Sequence, residues 1–354
     1  MVSSAMKEKK TRYSYIDIAK ALGMLAVMWG HLMLGGRTNS FVYAFHIPLF
    51  FFLSGMMFKK NIRFRDFFFR RVRTLLLPYA VFSVLTWAYW VVRNLVLGPP
   101  MNSVFMPLLQ TVLAQGSGGF LIHNVALWFV PCLFVVEMLY YWLAKLPDWA
   151  RAAACIVCGA LGYWMIRPNA WFDFKLLPWS IEVAMTAMVF YGAGHFLIEK
   201  ISHERLIAAV NRKKWCSFAV SLLLFAVIFV FAPTNGHISV AQGSLGDNIF
   251  VFYLLAFCGI GAALLLSVLL SNFRVSYLVW FGESSFYAMA IHVPVMVDMI
   301  WLWAKIRHID INGLRYNYFA TIPIYIAMVA VTSLWICVVK KVRKNRKDVL
   351  WQRK

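Results

Sequence analysis

The sequence predicts an all-α fold, a polytopic integral membrane bundle of about ten transmembrane helices with both termini in the cytoplasm. Three observations predict it. Of the 354 residues, 62% are hydrophobic and only 14% charged, whereas a soluble domain carries about 25% charged residues. The mean hydropathy of +0.70 leaves more apolar surface than a water-soluble chain of this length can bury. The apolar residues also gather into ten separate runs, and the basic residues between those runs alternate in a regular way.

The runs lie near 15–35, 41–58, 74–97, 125–145, 150–167, 179–199, 215–232, 248–270, 278–303 and 319–340. Each approaches the 20 or so residues that a helix needs to cross a hydrocarbon core about 30 Å thick. The second is short and strongly aromatic, with Phe45, Phe50, Phe51 and Phe52. The ninth is interrupted by Glu283-Ser284-Ser285 and by His292, so it is expected to start late or to bend at Pro294.

The connections fix the topology. Short cytoplasmic loops collect Lys and Arg. Counted over alternate connections and the two termini, 27 of the 35 basic residues fall on one side and seven on the other, with Lys20 inside the first run. A wrong helix count would scramble this asymmetry. It predicts an N-in, C-in arrangement, with one transmembrane domain over 1–345 and a basic cytoplasmic tail over 346–354.

The net charge of +21 is therefore a matter of topology and of anionic lipid headgroups, and no nucleic-acid module is recognisable. The six cysteines lie in or beside apolar runs. Cys155-x-x-Cys158 lacks the second pair or the histidines of a zinc site, so no metal site is expected. No cleavable signal peptide is apparent in the first run, which carries Asp17 and Lys20. No repeat is visible. The segment 98–124 holds Gly98-Pro99-Pro100 and Gly116-Ser117-Gly118-Gly119 around a semi-apolar stretch, which suits a lid or a re-entrant segment over an outward-facing cavity.

Ionisable groups inside a membrane span are costly, and each is a functional candidate. The first run holds three. Asp17 and Lys20 are i,i+3 and close enough to pair; an interfacial ion pair anchoring the helix end is the plainer alternative. Lys20 and His31 are eleven residues apart, close to three turns, so they share a helix face about 16 Å apart. From spacing alone, His31 is equally a structural hydrogen-bonding group. His46 opens the second run beside Pro48, where a capping role is the simpler reading. Glu137, Glu182, His195, Asp247, Asn248, Glu283 and His292 are the other polar groups of the spans. Singly each is ordinary interhelical glue, while their number suggests a hydrated interior. Arg70, Arg71 and Arg73, followed by Pro78, satisfy the topology rule; three arginines in four residues also suit a polyphosphate, which guanidinium forks bind in pairs.

Taken together, these residues resemble the acyltransferase-3 family of membrane O-acyltransferases, and most nearly its fucose-4-O-acetylase-like subgroup. The likeness rests on Tyr15-Ile-Asp17-Ile-Ala-Lys20 followed after ten residues by His31. It continues with Phe45-His-Ile-Pro-Leu-Phe-Phe-Phe-Leu-Ser54-Gly55 and with Arg70-Arg71-x-Arg73…Pro78. Leu127-Trp128-Phe129-Val-Pro131 and Phe281-Gly282-Glu-Ser-Ser…His292 resemble later landmarks. Many members carry Arg where this chain has Lys20, and Lys lacks the guanidinium fork. Some relatives carry a C-terminal esterase-like domain, and the stand-alone ten-helix form is expected here.

The resemblance implies transfer of an acyl group, most often acetyl, from cytoplasmic acyl-CoA to a hydroxyl of a cell-surface or lipid-linked glycan. It implies acetyl-CoA as a co-substrate and no bound cofactor. The expected setting is the multi-pass state in a bacterial inner membrane. Arg70, Arg71 and Arg73 would take the CoA phosphates. His31 would act as general base, the usual office of an imidazole, with Lys20 and Asp17 organising the donor channel. His46, Trp128, Glu137 and His292 are the acceptor-side candidates, Trp128 because aromatic faces pack on sugar rings. A transporter or flippase for a glycan precursor or small metabolite is the rival reading, since ten helices with buried charges also suit transport. No internal repeat or matched pair of broken helices favours it.

Overall fold

In the computed structural model the described residues are 12–32, 36–98, 103–116, 119–167, 177–308 and 318–352, with side chains to 342 in the last stretch. The first helices are α1 (Ser14–Leu32), α2 (Gly36–Met56), α3 (Phe64–Arg71), α4 (Leu77–Leu97), α5 (Met106–Leu113), α6 (Phe129–Leu143) and α7 (Asp148–Ile166). They are followed by α8 (Ile181–Lys200), α9 (His203–Arg212) and α10 (Lys214–Phe231). A hairpin of two short antiparallel strands, β1 (Ile238–Ser239) and β2 (Ser244–Leu245), then precedes α11 (Ile249–Leu270), α12 (Ser276–Glu283), α13 (Ser285–Arg307) and α14 (Tyr318–Gln352).

Among the described residues nine helical stretches are long and apolar enough to cross a membrane, and they correspond to the second to tenth predicted runs. The bundle is all-α and polytopic, as the composition requires. The ninth run starts late: α12 ends at Glu283 and a new helix begins at Ser285. The run expected to be first forms α1, but with Asp17, Lys20 and His31 in it the helix is not among those nine. Its surroundings explain why it is tolerated. α1 packs against α2 and α11 on one side and α12, α13 and α14 on the other. Tyr15, Ile16 and Ala19 join the larger core built on α2, α6, α8 and α11. Ala21, Met24, Val27 and Met28 join a second core with α13 and α14. α1 is thus a central helix shielded from lipid, and polar groups on it meet protein rather than hydrocarbon.

Close helix crossings depend on missing side chains. A Cβ on Gly55 of α2 would stand 2.0 Å from the Tyr191 carbonyl oxygen of α8, and one on Gly194 of α8 would stand 2.1 Å from that of Phe52. The α1–α12 crossing is tighter still, since a Cβ on Gly282 would lie 1.7 Å from the Asp17 carbonyl oxygen.

Several polar residues singled out in the sequence serve the fold. Asn248 caps α11, its side-chain oxygen accepting from the amides of Phe250 and Val251 at 2.9 and 3.3 Å, as Asn does at helix starts. His195 Nδ1 lies 2.7 Å from the Tyr140 hydroxyl. The carboxylate of Asp247 lies where any side chain on Gly236 would point. All six cysteines are free thiols, with Cys132 and Cys155 buried. α14 continues unbroken to Gln352, through residues read from sequence as a tail.

Candidate active site

The arginine cluster does not lie in a loop. α3 runs through Arg70 and Arg71 into a widened π-helical turn over Val72–Leu76, which feeds directly into α4. The Leu77 amide donates to the Val72 carbonyl, five residues back. Pro78 supplies the cause: its ring has no N–H and clashes with the carbonyl four residues earlier. A one-turn widening relieves that clash, and such bulges recur at functional sites. The turn is braced from α6, where Glu137 is buried and its Oε2 lies 2.9 Å from Arg71 Nε. Arg71 also lies over the Phe67 ring at 5.2 Å.

Arg70 and Arg71 line a cavity of about 240 Å³ together with Lys20, Ser54, Lys59 and Glu137. Arg73 and Arg65 line a separate opening, which Arg70 also borders. A second cavity, of about 350 Å³, lies deeper in the bundle. Lys20, Leu53, Ser54, Leu75 and Leu133 border both cavities. These five residues stand between the two cavities, and Lys20 is the cation among them.

The deeper cavity is lined by Lys20 and His31 from α1, by Tyr43, His46 and Phe50 from α2, and by Trp128 and Phe129 at the start of α6. Ser285, Phe286 and Met289 of α13 close another side. The in-line placement of Lys20 and His31 expected from their spacing therefore results in two groups on one cavity wall, near opposite ends. His46 is 5% exposed, and its Nδ1 donates to the Val42 carbonyl at 2.6 Å. That bond leaves the other ring nitrogen as an acceptor. Trp128 ends a short 3₁₀ turn and stands against Gly116, where a Cβ would meet its ring at 3.1 Å. Gly116, in the segment expected to act as a lid, does border the cavity; Ser117 and Gly118 lie outside the described residues.

Asp17 is held by more than Lys20. Lys20 Nζ stands 3.7 Å from one carboxylate oxygen, while Arg12 Nε donates to the other at 2.8 Å. Arg12 also reaches Glu283 of α12 at 2.9 Å. The hydrogen bond to Asp17, opposed in part by desolvation, raises the Arg12 pKa above its ordinary value. Arg12 thus locks the start of α1 to α12, beside the crossing at Gly282.

Two of the four acceptor-side candidates, His46 and Trp128, share a cavity with His31. Glu137 instead sits at the arginine end, paired with Arg71. His292 is fully buried and does not line the cavity; its ring lies behind His31, with centroids 5.1 Å apart. Sequence reasoning missed the β1–β2 hairpin, whose Ser239, Val240, Ala241 and Gln242 close the far end of the cavity. Gly236, Gly243 and Gly246, all in left-handed conformations, were its available signal. It also missed the role of Arg12. Among the described residues, no group of three or more His, Cys, Asp or Glu is arranged to hold a metal ion.

The bundle thus holds a cavity bordered by arginines, a deeper one bordered by an imidazole, and Lys20 on both. Residues 13–340 match the acyltransferase-3 model, described as an acyltransferase domain, and the chain belongs to that family of membrane acyltransferases. Comparison with curated proteins and with solved structures gives no significant match.

Proposed function

We propose that the protein is an acyl-CoA-dependent O-acyltransferase, most simply an O-acetyltransferase, that modifies a hydroxyl of a cell-surface or lipid-linked glycan from within a bacterial inner membrane. The observation that carries this reading is a pair of adjoining cavities, one bordered by Arg70 and Arg71 and the other by His31, with Lys20 on both.

The donor enters from the arginine end, which the distribution of basic loops makes cytoplasmic. Arg70 and Arg71 take the CoA phosphates, with Arg73 at the separate opening, and the pantetheine arm passes Lys20. The thioester comes to rest near His31. The acceptor hydroxyl reaches the same chamber past His46, Trp128 and the hairpin. His31 takes the hydroxyl proton as the oxygen attacks the thioester carbonyl. The C–S bond then breaks, the thiolate recovers the proton from His31, and an ester and free CoA result. General-base assistance of this kind is worth about 10²–10⁴ in rate.

Label transfer from acetyl-CoA tests the reading. Inverted membrane vesicles carrying the host's glycan or its lipid-linked precursor are compared with wild-type and His31→Ala protein, insertion being verified for both. Label in glycan with wild type alone is the expected result. Equal transfer by His31→Ala removes His31 from the chemistry. No transfer by wild type, together with flux of a glycan precursor in proteoliposomes, makes the protein a transporter.

A further inference from the structure

We infer that His292 is the positioning residue that fixes the tautomer and orientation of His31, rather than a contact for the acceptor. The inference rests on the reading of His31 as the base.

Four observations lead to it. First, His292 Nδ1 lies 3.0 and 2.9 Å from the carbonyl oxygens of Ala288 and Met289. Both oxygens can only accept, so Nδ1 carries the proton and Nε2 of the neutral ring is an acceptor. Second, that Nε2 is buried and has no hydrogen-bond partner. An unpaired buried acceptor is costly, so a nearby donor is expected to use it. Third, the facing ring is His31, with centroids 5.1 Å apart and planes tilted by 54°. An N–H···N bond of about 2.9 Å between two imidazoles places their centroids about 5 Å apart. A rotation of the His31 ring about χ2, a broad torsion for histidine, closes that bond. Fourth, the backbone that carries His292 is braced. Pro294 cannot donate to the Ala290 carbonyl four residues back, and Asn124 takes that place, its Nδ2 donating at 2.7 Å.

The consequence is a division of labour between the two rings. His31 gives its N–H to His292 Nε2 and so presents its second nitrogen, unprotonated, to the cavity. When the acceptor oxygen bonds to the thioester carbonyl, the hydroxyl proton moves to that nitrogen. The imidazolium formed keeps its bond to His292. As the C–S bond breaks, the thiolate takes the proton back, and His292 ends the cycle unchanged. A carboxylate fills this orienting office in other hydrolases and transferases; here a neutral ring does so inside a low-dielectric bundle, without the cost of a second buried charge.

The test is nitrogen-15 NMR of histidine-labelled protein in nanodiscs, combined with kinetics. In wild type, His292 is expected as the Nδ1–H tautomer. In His292→Leu the His31 signals are expected to change from one tautomer to a mixture, kcat to fall about thirtyfold or more, and both KM values to stay within about twofold. His292→Gln, whose carbonyl oxygen accepts in the same place, is expected to keep kcat within about fivefold of wild type. An Nε2–H tautomer at His292 in wild type, unchanged His31 signals in the Leu variant, or a raised acceptor KM with unaltered kcat overturns the inference. Failure of the His31 reading is seen separately, as full transfer by His31→Ala with the wild-type tautomers intact.

Discussion

Arg71 Nε lies 2.9 Å from Glu137 Oε2, joining the end of α3 to α6 beside the smaller cavity. Glu137 is 2% exposed, so the pair is mostly desolvated. Removing one partner of such a pair leaves an uncompensated charge and costs about 3–5 kcal/mol, whereas replacing both with apolar groups is often neutral. Arg71→Ala is therefore expected to lower thermal stability in detergent and to raise the donor KM. The double variant Arg71→Met with Glu137→Leu is expected to recover stability but not donor affinity. Recovery of both would confine Arg71 to a structural role.

Lys20 stands where the two cavities meet. Lys20→Met is expected to reduce kcat/KM for the donor about tenfold or more, at unchanged stability, because under the proposed function it removes the cation placed to meet a passing phosphate or thioester oxygen. Lys20→Arg is expected to keep most of the activity, since it supplies the same charge with more donors. Equal loss in both variants would instead mean that shape sets the passage of the donor.

Gly282→Ala tests the α1–α12 crossing. The added methyl would fall 1.7 Å from the Asp17 carbonyl oxygen, so one helix must move. Overpacking of this kind costs about 1–3 kcal/mol, and the displaced backbone carries Asp17 and, one turn on, Lys20. A drop in thermal midpoint together with a drop in kcat is expected. Lost stability with full activity would separate the crossing from the site.

The hairpin gives a prediction about the acceptor. Gln242 borders the far end of the cavity from the chain segment that closes it. Gln242→Ala is expected to raise the acceptor KM several-fold, about the worth of one hydrogen bond, and to leave the donor KM unchanged. Initial rates with each substrate varied in turn measure both.

Outside the spans, the Tyr13 hydroxyl donates to Glu204 of α9. With that bond as the largest cause, the Glu204 carboxyl is held at about 2, against about 4.3 for a free glutamate. A depressed carboxyl contributes stability above its unfolded value and loses it as pH falls towards the folded one. The tie between α9 and the start of α1 is therefore expected to loosen from about pH 4 to pH 2. Tyr13→Phe is expected to return the Glu204 titration towards the ordinary range, read by NMR of labelled glutamate.

The spans were legible because hydrocarbon imposes one requirement on every helix that crosses it, and nine helical stretches among the described residues meet it. α1 shows the limit of that logic. Its apolar run is diluted by Asp17, Lys20 and His31, yet the same three residues marked it as functional. The face shared by Lys20 and His31 was readable because helical periodicity is local. The placement of Glu137 and His292 was not, since each depends on which helix lies opposite. Glu137 meets Arg71 across α3 and α6, and His292 meets His31 across α1 and α13. The π-helical turn was hidden because its cause, Pro78, reads in sequence as a helix start.

The seclusion of α1 has a consequence for biogenesis. A helix with two charges and an imidazole is a poor stop in the translocon, since ionisable groups within a span are costly. Its shelter is assembled largely from α11 to α14, which are synthesised some 230 residues later. This helix thus precedes most of its own shelter in synthesis, so chains cut short before α12 should be poorly retained and open to membrane proteolysis.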